Sequence, residues 1–252
     1  MSSDNLKKRS IDYDEVSKVY DNVRVGDPEM VRHLLQGATL QKESLVLDVG
    51  CGTGNNTVLF AKASNTNVIG LDLSFGMLKK ANEKTKQIPL VQAPADSIPF
   101  ADDTLRFVFM TEVIHHLPDP FGAVCEIHRT LMHGGSLCIV TQSHAQIEGR
   151  MTSRFFPASA DIDKKRYPDI DVIDKFLLDA GFSSLDSIAY RFKKTKLGAD
   201  YLDTVENRGY SMLHKISQED YERGVEALKA AFASGEDLTY SAGYTFVWAT
   251  KK

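Results

Sequence analysis

The chain predicts a doubly wound α/β fold on a mostly parallel sheet, and three observations predict it. Short apolar runs alternate with helix-patterned segments from Ser44 to Thr141, the order expected of right-handed βαβ units. The first apolar run ends in a glycine turn, Gly50-Cys51-Gly52-Thr53-Gly54, that leads directly into a helical segment, and in such sheets ligands sit at the carboxyl ends of the strands. The composition is that of a globular domain, with 252 residues, 42% hydrophobic and 25% charged. That is enough chain for a single α/β domain with additions.

Residues 1–10 are polar and are expected to be a disordered tail, with 11–252 as one domain. Val16, Val19 and Tyr20, then Met30, Val31, Leu34 and Leu35, recur at helical spacing, so 11–40 is read as a helical cover. Asp27-Pro28 supplies a capping acid and a first-turn proline. Strands are expected at Ser44–Val49, Asn67–Leu73, Pro89–Ala93, Thr104–Met110 and Ser136–Thr141, the last opened by Gly134-Gly135. Helices are expected at Thr57–Ala63, Phe75–Glu83 and Phe121–Leu131.

The alternation breaks after Gln142. Ser143–Asp169 is polar and mixed, Asp171–Ala180 is a helix closed by Gly181, and Ser187–Phe192 alternates as a strand. Leu197–His214 is an insertion, helical in part. Gln218–Phe232 is an amphipathic helix, and Tyr240–Thr250 is a closing strand. Residues 143–215 are therefore read as substrate-region insertions.

A formal net charge of -4 and a pI near 6.0 argue against a nucleic-acid binder. Cys51, Cys125 and Cys138 form neither a disulfide framework nor a CxxC zinc pattern, so no metal is expected. Thiols of that kind, a polar start without an apolar signal region and the lack of a membrane-length apolar run fit a cytoplasmic protein.

The glycine turn alone fits many nucleotide cofactors, because glycines allow close backbone approach and the next helix offers free N–H groups. Three details narrow it. Asn55 stands where a dinucleotide fingerprint needs glycine. No lysine follows the glycines as a P-loop requires. Asp48 precedes the first glycine, where an anion repels a pyrophosphate but attracts an ammonium or a sulfonium. S-adenosylmethionine (SAM) carries both cations and one carboxylate. Asp72, at the end of the second strand, stands where an acid bonds ribose hydroxyls. Asp96, after the third, is placed to accept from an adenine amino group.

The string Val46–Gly54 resembles motif I of the class I SAM-dependent methyltransferases. Gly70-Leu71-Asp72-Leu73-Ser74 with Met77-Leu78, then Ala95-Asp96 and Pro99-Phe100, resemble the second and third motifs. Val113-Ile114-His115-His116-Leu117-Pro118-Asp119-Pro120 is similar to the segment after the fourth strand in the methyltransferase type 11, or ubiquinone/menaquinone methyltransferase-like, group. Tyr13–Arg24 resembles that group's N-terminal cover. The resemblance spans residues 11–141 well and the remainder in outline.

It implies a Rossmann-like, seven-stranded, mostly parallel sheet with an antiparallel last strand and an insertion before it. It implies that Asp48 and Gly50 hold the methionine amino group, with Gly52 and Gly54 along the amino-acid end. Asp72 would bind ribose, with Leu73 and Met77 near adenine or ribose, and Ala95 and Asp96 would meet the adenine. Thr111 would face the methionine moiety, and Tyr20 and Arg24 would close over the cofactor. Arg106 replaces an acid common in relatives, at the strand end away from the cofactor.

The implied activity is methyl transfer from SAM by in-line displacement to a small-molecule acceptor. A protein or RNA methyltransferase and a SAM-binding regulatory module are the alternatives, and Asn55 with Asp48 argues against a nicotinamide oxidoreductase. The sequence offers no strong general base; His116, His144 and Tyr210 are the candidates. Lys164, Lys165, Arg166, Arg191, Lys193, Lys194 and Lys196 read better as solvated charge than as an RNA surface. Asp72→Ala is expected to weaken SAM binding by at least about 1 kcal/mol, the loss of a charged acceptor; unchanged affinity by calorimetry would remove the ribose assignment.

Overall fold

The computed structural model describes residues 26–241 and 243–252. Helix α1 (Pro28–Gly37) starts where the sequence places it: Asp27 caps it through Glu29 and Met30 N–H groups, with proline in the first turn. Strand β1 (Leu45–Val49) leads through the glycine turn into α2 (Asn55–Ser64). Then come β2 (Asn67–Asp72), α3 (Phe75–Lys84), β3 (Leu90–Gln92), β4 (Leu105–Thr111), α4 (Pro120–Thr130) and β5 (Leu131–Thr141). The second half carries α5 (His144–Glu148), α6 (Met151–Phe155), α7 (Pro157–Arg166), α8 (Ile170–Asp179) and β6 (Phe182–Arg191). A short ladder of β7 (Thr195–Lys196) with β8 (Thr239–Tyr240) brackets α9 (Ala199–Glu206) and α10 (Gln218–Ala233), and β9 (Gly243–Lys251) closes the chain.

The main sheet has seven strands in the order β3-β2-β1-β4-β5-β9-β6. β1 pairs in parallel with β2 and β4, and β4 with β5. β9 runs antiparallel to both β5 and β6, as the resemblance implies. The order reverses between β1 and β4, the switch point where such sheets open a crevice.

Side-chain alternation builds a core on each face. Leu47, Val49, Val108, Met110, Ile139 and Val247 pack against Ala123, Val124 and Ile127 of α4 and Ile173 and Leu177 of α8. The neighbouring positions Val46, Phe107, Phe109, Cys138, Val140 and Phe246 pack against Met30, Val31 and Leu34 of α1 and Phe60 of α2. A third cluster joins the two insertions: Phe155 and Phe156 meet Val205, Met212, Leu213, Leu228 and Leu238.

The structure departs from the sequence expectation in three places. Ser143–Asp169 folds into three short helices. The first carries a capping box between Ser143 and Gln146, and the third starts at Pro157; the first two span five residues each, and the third buries Ser159, Ala160 and Asp163, so none shows an apolar stripe. β5 begins at Leu131, and Gly134 at φ 74 lies within a register shift between Leu105 and Phe107. β6 begins at Phe182 because Ser184, at φ 52, interrupts the alternation and shifts the register between Ser183 and Asp186.

Gly224 shows how tightly the insertions pack. In an exposed helix, Gly→Ala stabilises by about 1 kcal/mol. Here an added Cβ would lie 2.2 Å from the Phe156 ring and 2.7 Å from the Phe155 carbonyl oxygen. Overpacking of that kind costs about 1–3 kcal/mol, so Gly224→Ala is expected to lower the unfolding midpoint. A raised midpoint in thermal or urea unfolding would refute the packing.

Candidate functional site

The glycine turn is held open by its backbone. Gly50, Gly52 and Gly54 have φ of 72, 55 and 78, a region other residues occupy only with strain. The Gly50 and Cys51 N–H groups both donate to the Leu71 carbonyl, at 2.7 and 3.0 Å. A Cβ on Gly50 would lie 2.4 Å from the Val113 side chain, whereas one on Gly52 would meet nothing within 4 Å. Gly50 is thus a packing glycine, and Gly52 borders open space at the mouth of the crevice. Cys51 packs inward on Gly70, and burial, then Asp48 and Asp72, pushes its thiol well above the ordinary range. It is a small filler and no nucleophile.

Asp48 is the unusual residue of this region. It is 1% exposed. Thr57 Oγ1 donates to its Oδ2 at 2.7 Å, while Oδ1 is buried with no hydrogen-bond partner among the described residues. Burial pushes its carboxyl up to about 7, against the bond from Thr57 and aided by the charge of Asp72. A buried acid with an orphaned oxygen at a strand end fits a ligand that brings a cation.

Asp72 lies on the neighbouring strand. Its Oδ2 accepts from Gly52 N at 2.8 Å and its Oδ1 from Ser74 N at 2.9 Å. The helix α3 is capped by Ser74, whose Oγ accepts from Met77 N. Asp72 is therefore a brace between the glycine turn and α3. Leu73 and Phe75, either side of Ser74, are each 64% exposed, an apolar surface beside the Asp72 carboxylate. Met77 is buried below it, and Ala95 and exposed Asp96 follow β3, which pairs Gln92 with Asp72. Asp48, Asp72, the glycines, Leu73, Ala95 and Asp96 thus share the carboxyl edge of β1–β3. Tyr20 and Arg24 lie outside the described residues.

Across the switch point, Thr111 ends β4, and its Oγ1 accepts from Asn56 Nδ2 at 3.3 Å. The next residue, Glu112, sits at φ 58, a strained conformation of a kind that clusters at functional sites. Tyr167 O–H donates to Glu112 Oε2 at 3.4 Å, and the Tyr167 ring stacks on His115 with centroids 3.6 Å apart. Burial, then Glu112, pushes the Tyr167 phenol well up, so it serves as a donor. Arg150 lies over the same ring and bonds Asp163 Oδ2 at 2.6 Å and Gln142 Oε1 at 2.5 Å. Asp163 Oδ1 takes Arg166 at 2.9 Å, and Gln142 Nε2 donates to the Gly243 carbonyl. These buried bonds tie the first insertion to the ends of β4, β5 and β9.

The three candidate bases are dispersed. His116 is exposed in the turn after β4, with Nδ1 3.3 Å from Arg166 Nη2. His144 Nε2 lies 2.9 Å from the Tyr167 carbonyl and so must donate to it, while its Nδ1 lies 3.5 Å from Asp169. That leaves it as a clip between α5 and the Tyr167–Asp169 loop. Tyr210 packs on the insertion cluster, with its ring 6.0 Å from Tyr201. Sequence reading missed Asn56, Thr57, Gln142, Arg150 and Tyr167. Thr57 had a weak signal, a hydroxyl in the first turn after the glycines; the others are joined only by the fold.

Residues 47–139 match the family model described as a methyltransferase domain. The demethylmenaquinone methyltransferase of Staphylococcus carnosus is 31% identical over 154 residues, 54% of this chain and 64% of that protein. Its counterpart in Lysinibacillus sphaericus is 31% identical over 165 residues, 61% of this chain and 70% of that protein. The chain thus spans a little under two thirds of the first relative's length. Among solved structures, a candidate methyltransferase from an antibiotic biosynthesis pathway of Anabaena variabilis superposes with a TM-score of 0.76 at 21% identity, covering 90% of this chain and 99% of that one. Haemonchus contortus phosphoethanolamine N-methyltransferase 2, solved with SAM, gives 0.60 at 19% identity, covering 94% and 57%. At those identities the structures show a shared fold.

The burial of Asp48 has a consequence for the ligand-free protein. Its carboxyl is raised from 3.8 to about 7, so the neutral form favours the folded state below the unfolded value. That contribution is lost as pH rises through about 7. Asp48→Asn mimics the neutral form. Relative to wild type, its unfolding free energy is expected to rise between those limits and level off above them, by a few kcal/mol at about 1.4 per pKa unit. A pH-independent difference in urea unfolding would contradict the burial.

Proposed function

Because the chain belongs to the class I SAM-dependent methyltransferase family, we propose that it binds SAM in the β1/β4 crevice and transfers its methyl group to a small-molecule acceptor. The observation that carries the reading is the orphaned oxygen of buried Asp48 beside a glycine turn braced by Asp72. Asp48 and Gly50 receive the methionine ammonium, and Gly52 and Gly54 allow its carboxylate to reach the start of α2. Asp72 accepts from the ribose hydroxyls, Leu73 and Met77 flank the sugar and base, and Ala95 and Asp96 meet the adenine. Thr111 borders the methionine moiety.

Bound SAM supplies a methyl on a sulfonium, which departs as a neutral sulfide. The protein's task is to aim the acceptor along the S–CH3 axis and exclude water. The insertions at 143–215, with α10 packed on them, form the acceptor side. Support for a small acceptor comes from the demethylmenaquinone relatives. It comes also from the basic run at Lys164 and Arg166, which is spent on Glu148, Asp161 and Asp163. That leaves it poorly suited to grip a nucleic acid. Three free cysteines, and the absence among the described residues of a helix able to cross a membrane, agree with a cytoplasmic setting.

Incubation with SAM labelled on the methyl, offered separately to reduced naphthoquinones and small amines, to cell protein and to total RNA, tests the reading by mass spectrometry. Label on a small molecule is expected. Label confined to protein or RNA would replace the acceptor class, and SAM binding without any transfer would favour a regulatory module.

A further inference from the structure

Asn56 occupies a position that no sequence motif assigns. It stands in the first turn of α2, directly after the glycine turn, and its amide reaches two other elements. Asn56 Oδ1 accepts from Asp27 N at 2.9 Å, the backbone amide of the residue that caps α1. Its Nδ2 donates to Thr111 Oγ1 at the end of β4, at 3.3 Å, and lies 3.6 Å from the Met30 sulfur in α1. One side chain thus joins the start of the cover helix, the start of the cofactor-turn helix and the strand end across the switch point.

A second observation places the cover on the same turn. Gly26 lies so close to α2 that a Cβ there would sit 3.0 Å from the Asn55 carbonyl oxygen and 2.6 Å from Leu59 Cδ1. The chain leading into α1 therefore rests backbone to backbone on the helix turn whose N–H groups face the crevice. The Asn55 carbonyl and the Leu59 side chain both abut Gly26, so movement of one surface is transmitted to the other.

We propose that Asn56 is a positioning residue that couples the helical cover to the methionine end of the cofactor site. The proposal rests on the SAM reading. The methionine end of the ligand lies against the glycine turn and Thr111, both held by Asn56 or adjoining it. The adenine end lies against Asp72, Leu73 and Asp96, none of which touches Asn56 by any contact above. Loss of the Asn56 amide is therefore felt at one end of the ligand only, and ligand binding at that end steadies the α1 start.

The test compares S-adenosylhomocysteine with adenosine, which lacks the amino-acid end. Asn56→Leu removes all three contacts; Asn56→Asp keeps the acceptor for Asp27 N–H and loses the donor to Thr111. Calorimetry is expected to show about a tenfold loss of S-adenosylhomocysteine affinity for Asn56→Leu, as for one lost buried hydrogen bond, and a smaller loss for Asn56→Asp. Adenosine affinity should stay within about twofold, because no contact to the adenine end is removed. Hydrogen exchange of residues 27–34 should slow on adding S-adenosylhomocysteine to wild type and not to Asn56→Leu. Equal losses for both ligands, or no loss, would overturn the coupling. If Asn56→Leu does not fold, Gly26→Ala perturbs the same seat from the cover side and should give the same ligand selectivity. A wild type that binds neither SAM nor S-adenosylhomocysteine would instead overturn the reading on which the proposal rests.

Discussion

A carboxylate removed from water at the end of a central strand is an unstable arrangement on its own, and Asp48 is such a group. Thr57 satisfies one of its oxygens at 2.7 Å, and the other is buried with no hydrogen-bond partner among the described residues. Desolvating an unpaired charge costs several kcal/mol, and the group answers by holding its proton. The architecture around it makes the cost worthwhile only if a cation arrives. Gly52 faces open space beside the start of α2, and a helix N-terminus favours an anion.

The rest of the fold keeps that geometry fixed. β1 is paired on both sides, by β2 and β4, so Asp48 cannot withdraw toward solvent. Asp72 locks the turn from the side through Gly52 N and locks α3 through Ser74 N. Beyond the switch point, the Glu112–Tyr167 and Gln142–Arg150 bonds fasten the first insertion to the same edge of the sheet, and the buried Arg150–Asp163 pair ties its short helices together. A buried pair of that kind is weak support for net stability, but losing one partner is costly. Its effect here is to hold the short helices of the first insertion together.

The succession of strands and helices from β1 to β5 and the glycine turn were legible in the sequence, because alternation and glycine runs are local signals; the antiparallel last strand followed from the family resemblance, and the strand order is seen only in the fold. Asp48, Asp72 and Thr111 could be placed by counting along strands. The short helices of 143–169 were not legible, since two of them span only five residues and the third, Pro157–Arg166, buries Ser159, Ala160 and Asp163 and so has no apolar stripe. Nor were Asn56, Arg150 and Tyr167. Asn56 acts on Asp27 and Thr111, and Tyr167 on Glu112, 55 positions away in the chain. Such pairs carry no spacing rule. His144, a candidate base by residue type, lies 2.9 Å from the Tyr167 carbonyl and clips α5 to the loop that follows α7.

The central claim is that Asp48 holds a proton near neutral pH until a cationic ligand displaces it. Calorimetry of SAM binding in buffers of different ionisation enthalpy, with Asp48→Asn as the reference for protons contributed by SAM itself, measures that directly. With the Asp48 carboxyl at about 7 in the free protein, wild type should release more protons than Asp48→Asn at acidic pH, with the excess falling away as pH passes above neutrality. Equal proton release by the two proteins across that range, with SAM bound by both, would show that Asp48 is ionised before the ligand arrives and would contradict the account.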